Sequence, residues 1–257
     1  FKLRETDENA FLRLSYVQLF RRGSDKTIVE LHWQVAPRFF IRPLLNDAFW
    51  YRHIKVSLAG ETVLSPSPQD LLLLLSIHGA KDLWDRLKWI YGFSEFVKAN
   101  SKLDWERALE ASQRAGARRM VLLALRLAHD VMNTPLPPAI LQLVLNDSAV
   151  AALSEDIRAM LFDDPPTLQQ RISFHLRTFE HRRDRVRYCL LFAVTTTPVD
   201  WAMLPLPRAL SFVHYAIRPI RLLRKYIVKP PRTRSTPASA RRAPVMLMLT
   251  RDVAMPR

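Results

Sequence analysis

The chain has 257 residues, 49% of them hydrophobic, a formal net charge of +15 and a single cysteine, Cys189. This length allows a substantial buried core, so a globular protein of one large or two small domains is expected rather than a peptide-like one. One cysteine excludes an intramolecular disulfide framework and favours a reducing compartment, which we take to be the cytoplasm. The apolar runs, such as LLLLL at residues 71–75, fall far below the ~18 residues that a membrane-spanning helix needs, so no transmembrane segment is expected.

Most of the positive charge lies at the end of the chain. Residues 218–257 contain eleven Lys or Arg residues and one acid, Asp252, which gives this segment +10 of the net charge. A basic segment of this kind is typical of a solvated or membrane-surface tail, so specific nucleic-acid binding is not expected. The charge predicts peripheral contact with an anionic membrane through residues 218–257.

Two β-hairpins are predicted in the first part of the chain. Between residues 11 and 35, apolar and polar residues alternate on both sides of the Gly-containing turn GSDK, a pattern typical of a hairpin. The stretch HIKVSLAGETVLS, residues 53–65, predicts a second and shorter pair of strands. Residues 43–50, between the two pairs, suit a loop and a short helix.

From Ser67 onward the pattern predicts helices almost throughout. Ser67, Pro68 and Asp70 supply an N-cap, a proline at the first helical position and an acid in the first turn. This helix is expected to be interrupted at Gly79, and a second helix is expected to place Trp84 and Lys88 four residues apart on one face. Further helices are predicted over residues 103–116, 117–132, 138–146, 149–161, 166–194 and 207–227.

The sequence therefore predicts an α+β fold that is mostly α. Residues 1–66 form a β-containing part with the two hairpins, and residues 67–228 form a helical domain. Residues 229–257 are rich in Pro, Ser and Arg and have little to pack, so we expect a basic disordered tail.

The stretch IVELHW, residues 28–33, places a carboxylate inside an apolar strand. Because strand side chains alternate, Glu30 and His32 share one face about 6–7 Å apart and can reach one ligand. A carboxylate on a rigid strand suits a Mg²⁺ site, since Mg²⁺ prefers oxygen ligands. A half-exposed strand with one polar face explains the same pattern, and both interpretations stay open at this point.

The stretch SIHGAKDLWDRLKWIYGFSEF, residues 76–96, is the second candidate for chemistry. His78 and Lys81 lie near Gly79, and a histidine and lysines near a helix break can bind phosphate because free N–H groups and cations converge there. The alternative is an amphipathic helix with Trp84 and Trp89 in the core and its charges solvated. Elsewhere the sequence has no Cys/His spacing typical of zinc sites, and five scattered glycines cannot form a glycine-rich phosphate loop.

Several stretches, in order, resemble the uncharacterised nucleotidyltransferase family of bacteria. They are VELHWQV, then VSLAGETVLSPSPQDLLLLLSIHGAKDLWDRLKWI, then LDWERALEASQRAGARRMVLLALRLA, and finally DRVRYCLLFAV with DWAMLPLP and RPIRLLRKY, within residues 11–226. The family is similar to the DNA polymerase beta-like nucleotidyltransferase superfamily, in which a small α/β domain carries catalysis and a helical domain follows. The resemblance implies that the hairpins are a remnant of that α/β domain.

The resemblance also implies an activity and a set of site residues. The activity is transfer of a nucleotidyl group from an NTP to an unknown acceptor, with carboxylates holding two Mg²⁺ ions. Glu30 matches the third carboxylate of this site, as catalytic residue and metal ligand. The spacing along the strand makes His32 a further candidate metal ligand. The family's helical motif implies nucleotide binding by five residues, namely His78, Lys81, Trp84, Arg86 and Lys88.

The sequence departs from the family pattern in two places. Gly23-Ser24 is not the Gly-Ser turn that begins the family's catalytic core, because no Asp-x-Asp pair follows it at a suitable distance. The aspartate that usually follows the Trp-Ile motif is also absent, because WIYG, residues 89–92, ends in Gly92. We therefore expect the N-terminal catalytic segment to be missing, by truncation or by degeneration, and transfer to be impaired. The alternative function is a non-catalytic interaction module that docks on a partner or an anionic membrane through its helical surface and basic tail.

Overall fold

The computed structural model describes residues 15–21, 27–42, 51–162 and 165–195, with the isolated positions 44, 49, 213, 218–221 and 251–252. Predictions for residues 43–50, 207–227 and 229–257 fall mostly or wholly outside these residues. The chain divides into two compact units, one formed by Phe1–Pro37 with Leu190–Arg257 and the other by Arg38–Cys189. The predicted domain boundaries after residues 66 and 228 stay predictions.

The α+β, mostly α fold class is confirmed. In chain order the strands are β1 Val17–Arg21, β2 Ile28–His32, β3 Ile54–Leu58, β4 Glu61–Ser65 and β5 Arg251–Asp252. The helices are α1 Pro68–Lys81, α2 Leu87–Ala99, α3 Trp105–Arg114, α4 Arg118–Met132, α5 Pro138–Asn146, α6 Ser148–Met160, α7 Leu168–Thr178 and α8 Arg182–Val194. Among the described residues, no helix has both the length and the apolar character needed to cross a membrane.

The unit that contains the chain's first residues is built on the first predicted hairpin. β1 and β2 pair antiparallel with Leu19 opposite Glu30, and β5 pairs parallel to the other side of β1, so the strand order is β2-β1-β5. The Trp33 indole N–H donates to the Ser15 carbonyl oxygen at 3.1 Å and fixes the chain beside the two strands. Among the described strands, β2 pairs with β1 alone and so lies at the edge of this sheet, with most of its side chains exposed.

The other unit begins with the second predicted hairpin. β3 and β4 pair antiparallel, and the two residues between them, Ala59 and Gly60, both have positive φ, 53° and 88°. Two central residues with positive φ are the mark of a tight hairpin turn whose twist matches that of the strands. The Ala59-Gly60 pair in the sequence therefore fixes this hairpin locally.

Helix α1 begins as its sequence predicts. The Asp70 backbone N–H donates to Ser67 Oγ at 3.2 Å, and Ser67 Oγ donates to Asp70 Oδ2 at 2.7 Å. Arg52 donates to both Asp70 oxygens at 2.9 and 2.8 Å. The cap thus joins the start of α1 to the segment before β3.

Helix α4 forms the centre of the helical core. Residues 120–125, 127 and 128 are all 0% exposed, and α1, α2, α3, α5 and α6 pack against this helix. A helix that is apolar around most of its circumference needs neighbours on every side, which is the arrangement observed. The predictions for 117–132, 138–146 and 149–161 are confirmed to within a residue at each end.

The prediction of one continuous helix over residues 166–194 is wrong. α7 ends at Thr178 and α8 begins at Arg182. Phe179 between them is buried and extended, and its carbonyl oxygen accepts hydrogen bonds from Arg119 and Arg185 at 3.0–3.1 Å. These hydrogen bonds satisfy the Phe179 carbonyl oxygen without a helix. Arg119 lies 60 residues away in sequence, so a local hydrophobic pattern cannot predict this contact.

Candidate functional site

Glu30 and His32 lie side by side on strand β2. Glu30 Oε2 is 3.1 Å from His32 Nε2, which confirms that the two side chains share one face of the strand. The Glu30 side chain is 49% exposed and that of His32 29% exposed, and the His32 ring also contacts the Tyr16 ring at 6.0 Å. The carboxylate therefore does not pay the cost of an unpaired buried charge, because it is solvated and has a partner.

This pair alone does not fit a two-metal centre. Mg²⁺ requires near-octahedral coordination by oxygen ligands, usually carboxylates, phosphates and water. Among the described residues there is no group of three or more His, Cys, Asp or Glu side chains arranged to hold a metal ion. Glu30 and His32 supply two donors, and one of them is an imidazole nitrogen that already contacts the other.

The second candidate stretch forms a turn between α1 and α2. Helix α1 continues through Gly79 to Lys81, so the predicted interruption at Gly79 is wrong. The Trp84 N–H donates to the Gly79 carbonyl oxygen at 2.8 Å and the Leu83 N–H to that of Ala80 at 3.2 Å, with Leu83 at φ 60°. This 6→1 and 5→2 pattern is a Schellman motif, which closes the end of a helix.

The prediction that Trp84 and Lys88 share a helical face is also wrong, because the turn separates them. Trp84 has φ 50° and precedes α2, whereas Lys88 lies in its first turn. The Trp84 side chain is 1% exposed and packs edge-to-face on Phe93 at 5.7 Å. Its indole Nε1 is buried and finds no hydrogen-bond partner in the described part of the chain.

Gly79 is required by the close approach of the Trp84 ring. A Cβ placed on Gly79 would lie 2.6 Å from Trp84 Cδ2 and closer still to Cε2 and Cζ2, distances that real Cβ atoms essentially never show. The contact joins Gly79, the third-from-last residue of α1, to Trp84, which follows Leu83. Side chains at these two positions commonly pack together in a Schellman motif. The packing of the Trp84 ring on Gly79 therefore fixes the conformation of the turn.

Asp82 connects two of the predicted nucleotide-binding residues. Lys81 Nζ donates to both Asp82 oxygens at 2.8 and 2.7 Å, and His78 Nε2 lies 3.6 Å from Asp82 Oδ2. The His78 ring packs edge-to-face on Trp89 at 4.9 Å. Sequence reasoning missed Asp82, although its position four residues after His78 and next to Lys81 is a signal that could have identified it.

Arg86 and Lys88 lie at the start of α2 and are exposed. Arg86 is the N-cap residue, and neither a capping side-chain hydrogen bond nor a first-turn acid is present among the described residues of this helix end. Lys88 Nζ lies 4.7 Å above the Trp89 ring, and Arg86 Nε lies 4.0 Å from Asp85. Burial, and then the charge of Asp82, raise the pKa of Asp85 despite the nearby cations. Basic residues at a positive helix end are unfavourable unless an anion joins them.

The underside of the turn contacts a buried histidine that the sequence did not indicate. His175 Nε2 is 3.0 Å from the Lys81 carbonyl oxygen and Nδ1 is 2.9 Å from the Tyr188 hydroxyl. A carbonyl oxygen only accepts, so Nε2 carries the proton and Nδ1 accepts from the Tyr188 O–H. Burial lowers the pKa of His175 to about 3 and raises the pKa of Tyr188. The neutral ring therefore holds the last residue of α1, Lys81, although the two residues are 94 positions apart in sequence.

Gly92, in the middle of α2, has no such packing requirement. It is exposed, and a Cβ placed on it meets no described atom within 4 Å. Because glycine is disfavoured in a helix interior, we expect Gly92→Ala to raise the free energy of unfolding by about 0.5–1 kcal/mol in urea denaturation. Ala152→Gly, at an exposed interior position of α6, should lower it by a similar amount. A destabilising Gly92→Ala would contradict the open surroundings of this residue.

Comparison with known proteins identifies a family. A family model described as "Uncharacterised nucleotidyltransferase" matches residues 5–133, just over half of the chain. This range includes β1 to β4, the Glu30–His32 pair and the whole turn between α1 and α2. Neither the curated proteins nor the solved structures yield a match. The chain therefore belongs to the uncharacterised nucleotidyltransferase family.

Proposed function

We propose that this chain serves Mg²⁺-dependent transfer of a nucleotidyl group from an NTP to an acceptor, and that the 257-residue chain by itself transfers slowly. The single observation that carries the proposal is the family match, because it spans both chemistry-bearing stretches. Nucleotidyl transfer is the activity at family level. The metal, the triphosphate and the residue roles are the finer content of the proposal.

The proposed role of the Glu30–His32 pair is to supply metal ligands. When bound, Mg²⁺ neutralises charge on the phosphates that react. The sequence contains no Asp-x-Asp pair, and among the described residues no third His, Cys, Asp or Glu side chain completes a metal-binding group with Glu30 and His32. Two donors hold a metal weakly, which is why slow transfer is expected while nucleotide binding persists.

The proposed role of the turn between α1 and α2 is to hold the triphosphate. Arg86 and Lys88 supply exposed cations at a helix N-terminus whose N–H groups favour anions. Asp82 holds the Lys81 ammonium and lies close to His78, so these two side chains are oriented in advance. Trp84 is buried, so its proposed role is to hold the turn in position by packing rather than to contact the nucleotide.

Binding of each labelled NTP to the full chain, measured by equilibrium dialysis with and without Mg²⁺, tests the role of the turn. The double variant Arg86→Ala/Lys88→Ala is expected to weaken binding at least tenfold, since it removes two phosphate-directed charges. Lys98→Ala/Lys102→Ala removes the same charge from exposed positions at and beyond the other end of α2 and should leave binding unchanged. No NTP binding by the unaltered chain, or equal loss in both variants, would refute the proposal.

The role of Glu30 is tested by the Mg²⁺ dependence of the same binding and by transfer to candidate acceptors. Glu30→Gln should abolish the increase in NTP affinity that Mg²⁺ produces, because an amide replaces the carboxylate ligand. Glu61→Gln, at an exposed strand position in the second hairpin, should keep it. If Mg²⁺ increases affinity equally in both variants, Glu30 is not a metal ligand.

The docking alternative rests on the basic tail. In that tail the structure describes only the backbone of residues 251–252. No structural observation therefore favours docking over nucleotidyl transfer as the function of this chain.

A further inference from the structure

A cleft opens between the start of α1 and one face of α3, away from the turn described above. Its volume is about 290 Å³, at the lower end of the range typical of small-ligand sites. On α3 it is lined by Arg107, Ala111 and Arg114, which lie at i, i+4 and i+7 and share one face. The small Ala111 side chain between the two arginines leaves room for a ligand.

The lining combines an apolar floor with an excess of positive charge. Phe49 and Leu73 are 5% and 7% exposed and form part of the apolar surface, which also includes Leu44 and Leu74. The charged lining residues are three arginines, Arg52, Arg107 and Arg114, and one carboxylate, Asp70. The lining residues therefore carry a net charge of +2, from three cations and one anion.

The three arginines are not equivalent. Arg52 is held by two hydrogen bonds to Asp70, which also accepts from Ser67, so it belongs to the cap of α1. Burial opposes ionisation of Asp70, yet these hydrogen bonds and the charges of Arg52 and Arg107 together lower its pKa. Asp70 is thus a fixed anion that neutralises Arg52.

The guanidinium groups of Arg107 and Arg114 are available to bind a ligand. Both are exposed, and Arg114 forms an exposed i,i+4 ion pair with Glu110 at 3.2 Å, a kind of pair that contributes little and exchanges readily. The described residues offer Arg107 no ion pair within 4.0 Å. Two guanidinium groups beside an apolar floor complement a doubly charged anion that carries an apolar body.

We propose that this cleft binds a small organic phosphate monoester, with the phosphate on Arg107 and Arg114 and the apolar body against Phe49 and Leu73. A phosphate monoester carries about −1.5 to −2 charges at neutral pH, which matches the net charge of the lining better than a single carboxylate does. The site is separate from Arg86 and Lys88 and does not rest on the proposed function.

Isothermal titration calorimetry of the full chain with phenyl phosphate at low ionic strength tests the proposal. Three comparison ligands each lack one feature of phenyl phosphate. Inorganic phosphate lacks the apolar body, benzoate lacks the second negative charge, and benzyl alcohol lacks the anionic group. Phenyl phosphate is expected to bind at least tenfold more tightly than any of the three. Equal affinity for inorganic phosphate would refute the apolar contact, and equal affinity for benzoate would refute the preference for a phosphate.

Variants of exposed residues locate the binding without disturbing the fold. Arg107→Gln and Arg114→Gln should each weaken phenyl phosphate binding at least fivefold, and the double variant should abolish it. Glu110→Gln should strengthen binding about twofold, since Arg114 loses its competing partner. Arg158→Gln is the matched control, because Arg158 forms a similar exposed ion pair with Glu155 on α6.

Two results would overturn the proposal. One is no detectable binding of phenyl phosphate by the unaltered chain. The other is binding that survives in Arg107→Gln/Arg114→Gln or that falls equally in Arg158→Gln. The Arg86→Ala/Lys88→Ala variant should keep phenyl phosphate binding, so loss of NTP binding there and loss of phenyl phosphate binding here are separate outcomes.

Discussion

Replacing Gly79 by alanine is expected to lower the free energy of unfolding by about 2–3 kcal/mol, the usual cost of forcing extra atoms into a packed core. The added methyl group would meet Cδ2 of the Trp84 indole at 2.6 Å, with two further ring atoms closer. The ring cannot easily withdraw, because it is 1% exposed and packed on Phe93. Urea denaturation followed by far-UV circular dichroism measures the change.

Two controls separate this clash from the general effect of a helical glycine. Gly92→Ala makes the same substitution where the Cβ meets no described atom, and it should change stability in the opposite direction. In a Trp84→Leu background the ring is gone, so Gly79→Ala should cost less than half of its value in the unaltered chain. Additive effects of Gly79→Ala and Trp84→Leu would show that the two residues do not interact.

Much of the fold could be predicted because its signals are local. Ala59 and Gly60 supply a two-residue turn between two alternating stretches, and Ser67 reaches Asp70 only three residues away. The break between α7 and α8 could not be predicted, since it depends on the Phe179 carbonyl oxygen accepting from Arg119 in a different helix. No proline or glycine interrupts residues 168–194, so the sequence offers no local signal that would end a helix there.

Part of the geometry at the candidate residues was predictable, and part was not. Alternation in β2 was enough to place Glu30 beside His32. The turn is different, because a leucine rather than a glycine takes the left-handed position, and Leu83 adopts φ 60° while it is 2% exposed. Burial of Leu83 and Trp84 offsets the cost of these backbone angles, and that compensation exists only once the helices have packed.

Acidification is expected to destabilise the chain through His175. In the unfolded chain a histidine titrates near 6.5, whereas burial lowers the pKa of His175 to about 3 in the folded chain. Between these values the unfolded chain binds a proton that the folded chain does not, so stability is full above pH 6.5 and falls as the pH decreases. The slope is about 1.4 kcal/mol per pH unit, which gives a loss of roughly 3 kcal/mol by pH 4.5 from this residue.

Urea denaturation at a series of pH values from 7 to 4.5 measures this slope, and His175→Gln assigns it. A glutamine can donate to the Lys81 carbonyl oxygen and accept from the Tyr188 hydroxyl without titrating, so the variant should be less stable at pH 7 yet lose about 3 kcal/mol less on acidification. His181→Gln, at an exposed position in the same segment, should keep the slope of the unaltered chain. An unchanged slope in His175→Gln would mean that the buried ring is protonated in the folded chain, and then the Lys81 carbonyl oxygen could not be held by a neutral histidine. The Lys81 carbonyl oxygen lies at the end of α1, next to the turn. The same series therefore also tests whether the hydrogen bond from His175 to this oxygen is lost at low pH.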